Sequence, residues 1–126
     1  MKDEERKRWD KAIEGCCNKP FRDIILEVVE IHNRKSADYA SHEDPLQNVR
    51  TAEEYGCPAW IGVQFRMDDK RNRIKGAVKK IFKGEKVKMS NESLRDSFID
   101  RIVYGIMALQ LLDETQEKNE EAIMKK

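Results

Sequence analysis

The fold of this chain is decided by the stretch Glu92-Ser-Leu-Arg-Asp-Ser-Phe-Ile-Asp-Arg-Ile-Val-Tyr-Gly-Ile-Met-Ala-Leu109. Its apolar residues recur at helical spacing, which predicts an α-helix. At about 100° per residue, Glu92, Asp96 and Asp100 fall within about 80° of one another, on the apolar side of that helix. An unpaired buried carboxylate is too costly, so a metal ion, a basic side chain or a ligand must compensate these acids. The pattern therefore indicates a functional site on this helix.

The same helix is apolar over an unusually wide arc. Val103 and Met107 share the sector of the acids, and a second sector lies beside it. That second sector is formed by Leu94, Phe98, Ile102, Ile106 and Leu109. A helix that is apolar around so much of its surface is expected to be largely buried.

Helix start and stop signals elsewhere predict an all-α fold, a compact bundle of four to five helices with one long loop over about 38–48. The remaining helices are expected over 3–14, 20–37, 48–55 and 58–82. A length of 126 residues fits a single domain, 1–126, with its core over about 20–112. The charged N-terminal helix and the C-terminal tail are expected to be peripheral.

Composition restricts the class of protein. Lys and Arg number 25 and Asp and Glu 24, so the net charge of +1 gives no reason to expect direct nucleic-acid binding. The chain has no apolar run of about 20 residues and no signal-peptide core, so no membrane partner is expected. Three cysteines without a disulfide or zinc spacing favour reduced thiols. These features predict a soluble, cytoplasmic protein.

A second group of charges lies on the predicted 58–82 helix. Arg66, Asp69, Lys70 and Arg73 occupy one arc of about 100°. Such a group can be a salt-bridged stripe on a surface helix. It can equally bind a polyphosphate, because two bidentate guanidinium groups and a lysine ammonium group suit phosphate oxygens. Asp69 could then orient one of the arginines or contact a metal ion.

Two further groups have plain structural explanations beside functional ones. Glu27 and Glu30 form a Glu-x-x-Glu pair that could share Mg²⁺, although any charged helix produces this spacing. Lys35 and Tyr39 lie one turn apart beside the predicted loop, where ligand contacts concentrate. Asn48 is fully explained as a cap or turn residue.

Four blocks taken together carry a family resemblance. They are Lys35-x-x-Asp38-Tyr39, Asp44-Pro-x-x-Asn48-Val-Arg50, Arg66-x-x-Asp69-Lys70-x-x-Arg73 and Glu92-Ser-x-x-Asp96-x-x-x-Asp100-x-x-x-Tyr104. In this order they resemble the nucleotide-modification-associated domain family found in many phage genomes. That family is similar to the MazG-like all-α nucleoside triphosphate pyrophosphohydrolases and dimeric dUTPases. The likeness covers about residues 20–112.

The resemblance implies a Mg²⁺ site, with Mn²⁺ as a substitute. The related enzymes use Glu-x-x-Glu on one helix and Glu-x-x-Asp or a similar pair on another. Here the step from Glu92 to Asp96 is four residues rather than three. The predicted metal ligands are therefore Glu92, Asp96 and Asp100, with Glu27 as a further candidate.

The implied activity is that of a nucleoside triphosphate pyrophosphohydrolase acting on the nucleotide pool. Water activated by the metal would attack the α-phosphorus and release a nucleoside monophosphate and pyrophosphate. Asp96 and Asp69 are the predicted catalytic residues. The predicted ligand-binding residues are Lys35, Asp38, Tyr39, Asn48, Arg66, Lys70 and Arg73.

Two alternatives remain open at the level of sequence. A non-catalytic nucleotide-binding protein, which sequesters a nucleotide or delivers it to a DNA-modification enzyme, needs the cations but not a complete metal set. A helical interaction module needs neither and binds no nucleotide. The related enzymes are oligomers, so a homo-oligomer, a dimer or higher, is expected. A phage protein of this kind would act in the host cytoplasm.

Overall fold

The structure is a computed structural model that describes residues 2–39, 44, 46–86 and 94–124, with the backbone alone for 38–39 and 120–124. Within these residues the chain forms four α-helices, α1 (Asp3–Gly15), α2 (Lys19–Tyr39), α3 (Ala59–Phe82) and α4 (Leu94–Met124). Two short 3₁₀ helices lie at Gln47–Val49 and Thr51–Tyr55. The described residues include no β-strand, and the predicted all-α fold is confirmed.

Proline and glycine set the ends of α3 as the sequence predicts. Pro58 precedes the first turn, where its missing N–H costs nothing. At the other end Gly84 takes a φ of 76°, and the N–H of Glu85 donates to the carbonyl of Lys80 at 2.9 Å. Gly56 also has a φ of 76°, a conformation that residues with a Cβ rarely adopt. These glycines close the preceding helical segments.

The predicted helix over 48–55 differs from the structure. It is divided into two 3₁₀ helices at Arg50, whose ψ of 2° is not helical. The start of the last helix, predicted at Ser90, lies outside the described residues. At its C-terminal end α4 continues past Leu112 and is helical as far as Met124.

The chain divides into two compact units, 1–35 and 36–126. In the first, the side chain of Asn18 accepts a hydrogen bond at 3.2 Å from the N–H of Phe21 and so caps the start of α2. Arg22 donates to the carbonyl of Ile13 at 3.4 Å, which ties α2 to α1. Val28 is buried.

The core of the second unit lies between α3 and α4, and α3 also packs on both 3₁₀ helices. The helices are antiparallel, since Arg66 meets Tyr104 whereas Lys70 meets Asp100. The buried apolar residues of this unit are Leu46, Val49, Ala59, Val63, Ala77, Ile99, Val103, Met107, Ala108 and Leu111, and Ser97 on α4 is buried as well. Close packing extends to Gly62, where an added Cβ would lie only 2.6 Å from the Cβ of Ala52.

The second apolar sector of α4 is not buried. Phe98, Ile102, Ile106 and Leu109 are 49%, 40%, 48% and 58% exposed. The expectation that α4 is largely buried is wrong for these four residues. It holds for the first sector, where Val103 is buried. Contact with one neighbouring helix covers a single stripe of α4, and this sector falls outside that stripe. We call these four residues the α4 apolar stripe.

Candidate ligand-binding site

A salt bridge joins the two predicted charge clusters across the α3–α4 contact. The Nζ of Lys70 lies 3.1 Å from Oδ2 of Asp100, and the side chains are 15% and 16% exposed. Val63 and Ala77, each seven residues from Lys70, are buried on the same face of α3. This spacing returns a helix to the same side after two turns, so Lys70 is directed at α4 by the packing of its neighbours.

Arg66 lies one turn before Lys70 and joins three elements. Its Nη2 donates a hydrogen bond at 3.2 Å to the backbone carbonyl of Asn48 in the first 3₁₀ helix. Its guanidinium carbon lies 5.8 Å from the centre of the Tyr104 ring on α4, within the range of a cation–π interaction. A planar guanidinium can make both contacts at once, whereas an ammonium group would not stack in this way.

These contacts define a small polar seam. It consists of Asn48, Arg66, Lys70, Asp100 and Tyr104, which we call the α3–α4 seam. The structure brings together three predicted ligand-binding residues and one predicted metal ligand here. The family resemblance includes Tyr104 but assigns it no role. Its ring lies against the guanidinium group of Arg66 and helps to hold that group in place.

The remaining predicted residues of α3 and α4 extend the seam at one end. Arg73 is three residues beyond Lys70, and Asp96 is four residues before Asp100, so the antiparallel register places both beyond the salt bridge. Arg73 and Asp96 are exposed, and each engages in a polar interaction. Asp69 is also exposed. These side chains are accessible to a ligand that lies along the seam.

The other predicted residues lie in the first unit or outside the described side chains. Glu27 and Lys35 belong to the unit formed by 1–35, and both engage in polar interactions. The side chains of Asp38 and Tyr39 lie outside the described part of the chain, and so does the whole of Glu92. Their assignments stay predictions.

The chemistry of the seam is compatible with Mg²⁺ when a phosphate ligand completes its coordination. Among the described residues, no group of three His, Cys, Asp or Glu residues could hold a metal ion. Asp96 and Asp100 nevertheless lie on consecutive turns of α4, and carboxylate oxygens are the donors that Mg²⁺ prefers. Mg²⁺ is commonly held by one or two carboxylates together with substrate phosphates. The pair fits that mode of binding.

Arg50 organises a second polar network, which the sequence did not reveal. Its Nε lies 2.7 Å from Oδ2 of Asp44, and its Nη2 lies 3.0 Å from Oε2 of Glu114 on α4. A third acid, Glu53, is 3.5 Å away. The block containing Asp44 and Arg50 is visible in the sequence, but Glu114 is 64 residues further along. This network ties the 3₁₀ segment to α4.

The network changes the acidity of its members. Hydrogen bonding to Arg50 lowers the pKa of Asp44 from its ordinary value. Hydrogen bonding to Arg50 likewise lowers the pKa of Glu114, against a smaller opposing effect of burial. The pKa of Arg50 is raised, mainly by its hydrogen bond to Asp44. All three groups are therefore held in their charged forms.

Comparison with protein-family models, with curated proteins and with solved structures finds no match for this chain. The described part of the chain also has no helix long and apolar enough to cross a membrane.

Proposed function

We propose that this chain binds a nucleoside polyphosphate with Mg²⁺ along the α3–α4 seam and hydrolyses it as a pyrophosphohydrolase. The observation that supports the proposal best is the convergence of Arg66 and Lys70 with Asp100 and Tyr104. The ligand class fits these groups. The two cations suit phosphates, the aromatic ring suits a base, and the carboxylate suits a metal ion. The family resemblance of the four sequence blocks supports the same ligand class.

The basic residues would act on the phosphates. Arg66 is held by Asn48 and Tyr104, so its unengaged N–H groups are fixed in direction before a ligand arrives. Such preorganisation favours electrostatic stabilisation of charge that develops on a leaving pyrophosphate. Arg73, at the exposed end of the seam, would bind the outer phosphates, with Asp69 one turn before it as its orienting partner.

The acidic residues would serve the metal ion. Asp96 and Asp100 would hold Mg²⁺, with Glu92 and Glu27 as the further predicted ligands. When bound there, Mg²⁺ would polarise the phosphoryl oxygens and lower the pKa of a water molecule. Asp96 is the proposed catalytic residue, because an exposed carboxylate beside the phosphates can accept a proton from the attacking water. Lys35, Asp38 and Tyr39 are the candidates for contacts with sugar or base.

A second candidate function is nucleotide binding without catalysis. It is favoured by the salt bridge itself, because Lys70 neutralises the carboxylate of Asp100 that a metal ion would need. Binding a polyphosphate at Arg66 and Lys70 does not require a full set of metal-ligating carboxylates. A protein of this kind would sequester a nucleotide or deliver it to a modifying enzyme.

The proposal includes assembly into a homo-oligomer, a dimer or higher, acting in the cytoplasm of a phage host. The α4 apolar stripe supports the assembly, since contiguous exposed apolar residues typically mark an interaction surface. A second copy of α4 would cover the stripe.

One experiment separates the candidate functions. The protein is incubated with the common ribo- and deoxyribonucleoside triphosphates and Mg²⁺, and soluble and protein-bound nucleotides are identified by mass. Release of a nucleoside monophosphate and pyrophosphate, lost in Asp96→Asn, is the result expected of the enzyme. Retention of an intact nucleotide without turnover identifies the non-catalytic binder. If neither is found, and the melting temperature is unchanged by nucleotide and Mg²⁺, the proposal is refuted.

A further inference from the structure

The near-zero net charge of the chain conceals a strongly polarised distribution. Residues 70–86 contain eight of the 25 basic residues and one acid, Glu85. The rest of the chain keeps 17 basic and 23 acidic residues and is negatively charged overall. No acidic residue occurs between Asp69 and Glu85. The C-terminal half of α3 therefore carries a local positive charge that whole-chain composition does not show.

Four of these cations form a continuous line along α3. Arg71, Lys75, Lys79 and Lys83 follow one another at intervals of four residues. At about 100° per residue they span an arc of about 120°, whose centre is turned away from the α4-facing Lys70. All four side chains are exposed. We call them the α3 basic face.

This line has an energetic cost within the helix. Like charges four residues apart destabilise a helix by about 0.2–0.5 kcal/mol for each pair. Within the described part of the chain, none of the four cations has an ion-pair partner, whereas Lys70 on the other side pairs with Asp100. No described residue therefore compensates the repulsion along the basic face with an ion pair.

The helix macrodipole explains only part of the pattern. Basic residues in a last turn interact favourably with the C-terminal carbonyl groups, and Lys79 and Lys83 benefit from this. The effect falls off within that turn. Arg71 and Lys75 lie further back along the helix, so their charges need another explanation.

An exposed aromatic side chain lies on the same face. Phe82 projects at an angle between those of Arg71 and Lys75 and is 87% exposed. An aromatic ring among cations is the combination with which proteins bind single-stranded nucleic acid, since bases stack on the ring while the cations follow the phosphates. In a duplex the bases are already stacked on one another and are not available to the ring.

We propose that the α3 basic face binds single-stranded nucleic acid. Lys75, Lys79 and Lys83 contact successive phosphates, Arg71 extends the same line, and Phe82 stacks with a base. This surface is separate from the α3–α4 seam, because it occupies the opposite side of α3 from Lys70. The inference therefore stands independently of the proposed nucleotide chemistry.

The test measures binding of a fluorescent single-stranded oligonucleotide of about 16 nucleotides by anisotropy at two salt concentrations. Four phosphate contacts predict that affinity falls roughly 50-fold between 50 and 200 mM salt. The variant Lys75→Gln/Lys79→Gln/Lys83→Gln should bind more weakly and lose most of this salt dependence. Gln keeps a good helix propensity, so circular dichroism should be unchanged.

A matched variant removes the same charge elsewhere. Lys7→Gln/Arg8→Gln/Lys11→Gln neutralises three exposed cations of α1 and should bind like the wild type. Phe82→Ala should weaken binding at least about fivefold without changing the salt dependence, because stacking is not ionic.

Several results would overturn the proposal. The first is equal weakening by the α1 and α3 triple variants, which would mean a general charge effect. The second is equal affinity for duplex and single strand with no effect of Phe82→Ala. The third is self-association of the wild type at low salt, abolished in the α3 triple variant without any oligonucleotide, because the face would then bind a second copy of this chain.

Discussion

Lys70 and Asp100 face each other at 3.1 Å across two antiparallel helices, and each side chain retains only about one sixth of its exposure. Removing one partner leaves the other charge partly buried without it, which is costly. We expect Lys70→Met to lower the free energy of unfolding by about 1–3 kcal/mol.

A double-mutant cycle isolates this pair. The combined variant Lys70→Met/Asp100→Leu should be less destabilised than the sum of the two single variants, because both charges of the pair are then removed together. Urea unfolding of the four proteins provides the measurement. Strictly additive losses would contradict an energetic coupling between Lys70 and Asp100.

Gly62 allows α3 to approach the second 3₁₀ helix. Gly62→Ala should destabilise the protein by about 1–3 kcal/mol, because the new Cβ would overlap the Cβ of Ala52 at 2.6 Å. Gly76 is the matched control, since an added Cβ there meets nothing within 4 Å. Gly76→Ala should stabilise the helix by up to about 1 kcal/mol. Thermal unfolding that ranks the two variants in the reverse order would disprove the close approach.

The Arg50 network predicts how stability depends on pH. Hydrogen bonds to Arg50 lower the pKa values of Asp44 and Glu114 in the folded state. Their stabilisation is therefore complete above the unfolded pKa values of about 4, and it is lost as the pH falls through the folded values. The urea midpoint should be constant from pH 7 to about 5 and then decrease.

Arg50→Gln should lower the midpoint at pH 7, where both acids are ionised, and should approach the wild-type value in acid. The control Lys19→Gln breaks an exposed i,i+4 pair with Asp23, whose side chains are 74% and 61% exposed, and should leave the profile unchanged. Parallel profiles for wild type and Arg50→Gln would show that the network does not control acid stability.

The α4 apolar stripe predicts self-association. At tens of micromolar protein, light scattering should give the mass of a dimer or a higher oligomer for the wild type. Ile102→Gln/Ile106→Gln should give a monomer with unchanged helicity, because the substitutions lie on an exposed surface. Phe65→Gln changes another exposed apolar residue, 68% exposed, and should not alter the mass. A monomeric wild type would contradict the assembly.

The helices could be predicted because their signals are local. Pro58 and Gly84 mark the ends of α3 by their own backbone preferences, and the recurrence of apolar residues identifies α4. The 3₁₀ geometry around Arg50 could not be predicted in the same way. The side chain of Arg50 is paired with Glu114, 64 residues further along the chain, and no local pattern reveals such a contact.

The seam was accessible to sequence reasoning in part. Arg66 and Lys70 on one helix and Asp100 on the other follow from residue spacing alone, and opposite charges on packed helices are expected to meet. The carbonyl of Asn48 as the partner of Arg66 was not predictable, since it requires the position of the 3₁₀ helix. The exposure of Phe98 and Ile106 was missed because residue spacing defines a face without showing what covers it.

In the proposed function Arg66 binds phosphate and does not serve only to hold α3 against its neighbours. The most direct test is the affinity for Mg²⁺–nucleoside triphosphate, by equilibrium dialysis, of wild type, Arg66→Lys and the exposed control Arg71→Lys. Lys keeps the charge but loses the planar fork. We expect at least a tenfold loss of affinity for Arg66→Lys alone, with the free energy of unfolding lowered by no more than about 1 kcal/mol through the weakened contacts with Asn48 and Tyr104. Unchanged affinity with a large loss of stability would contradict this expectation.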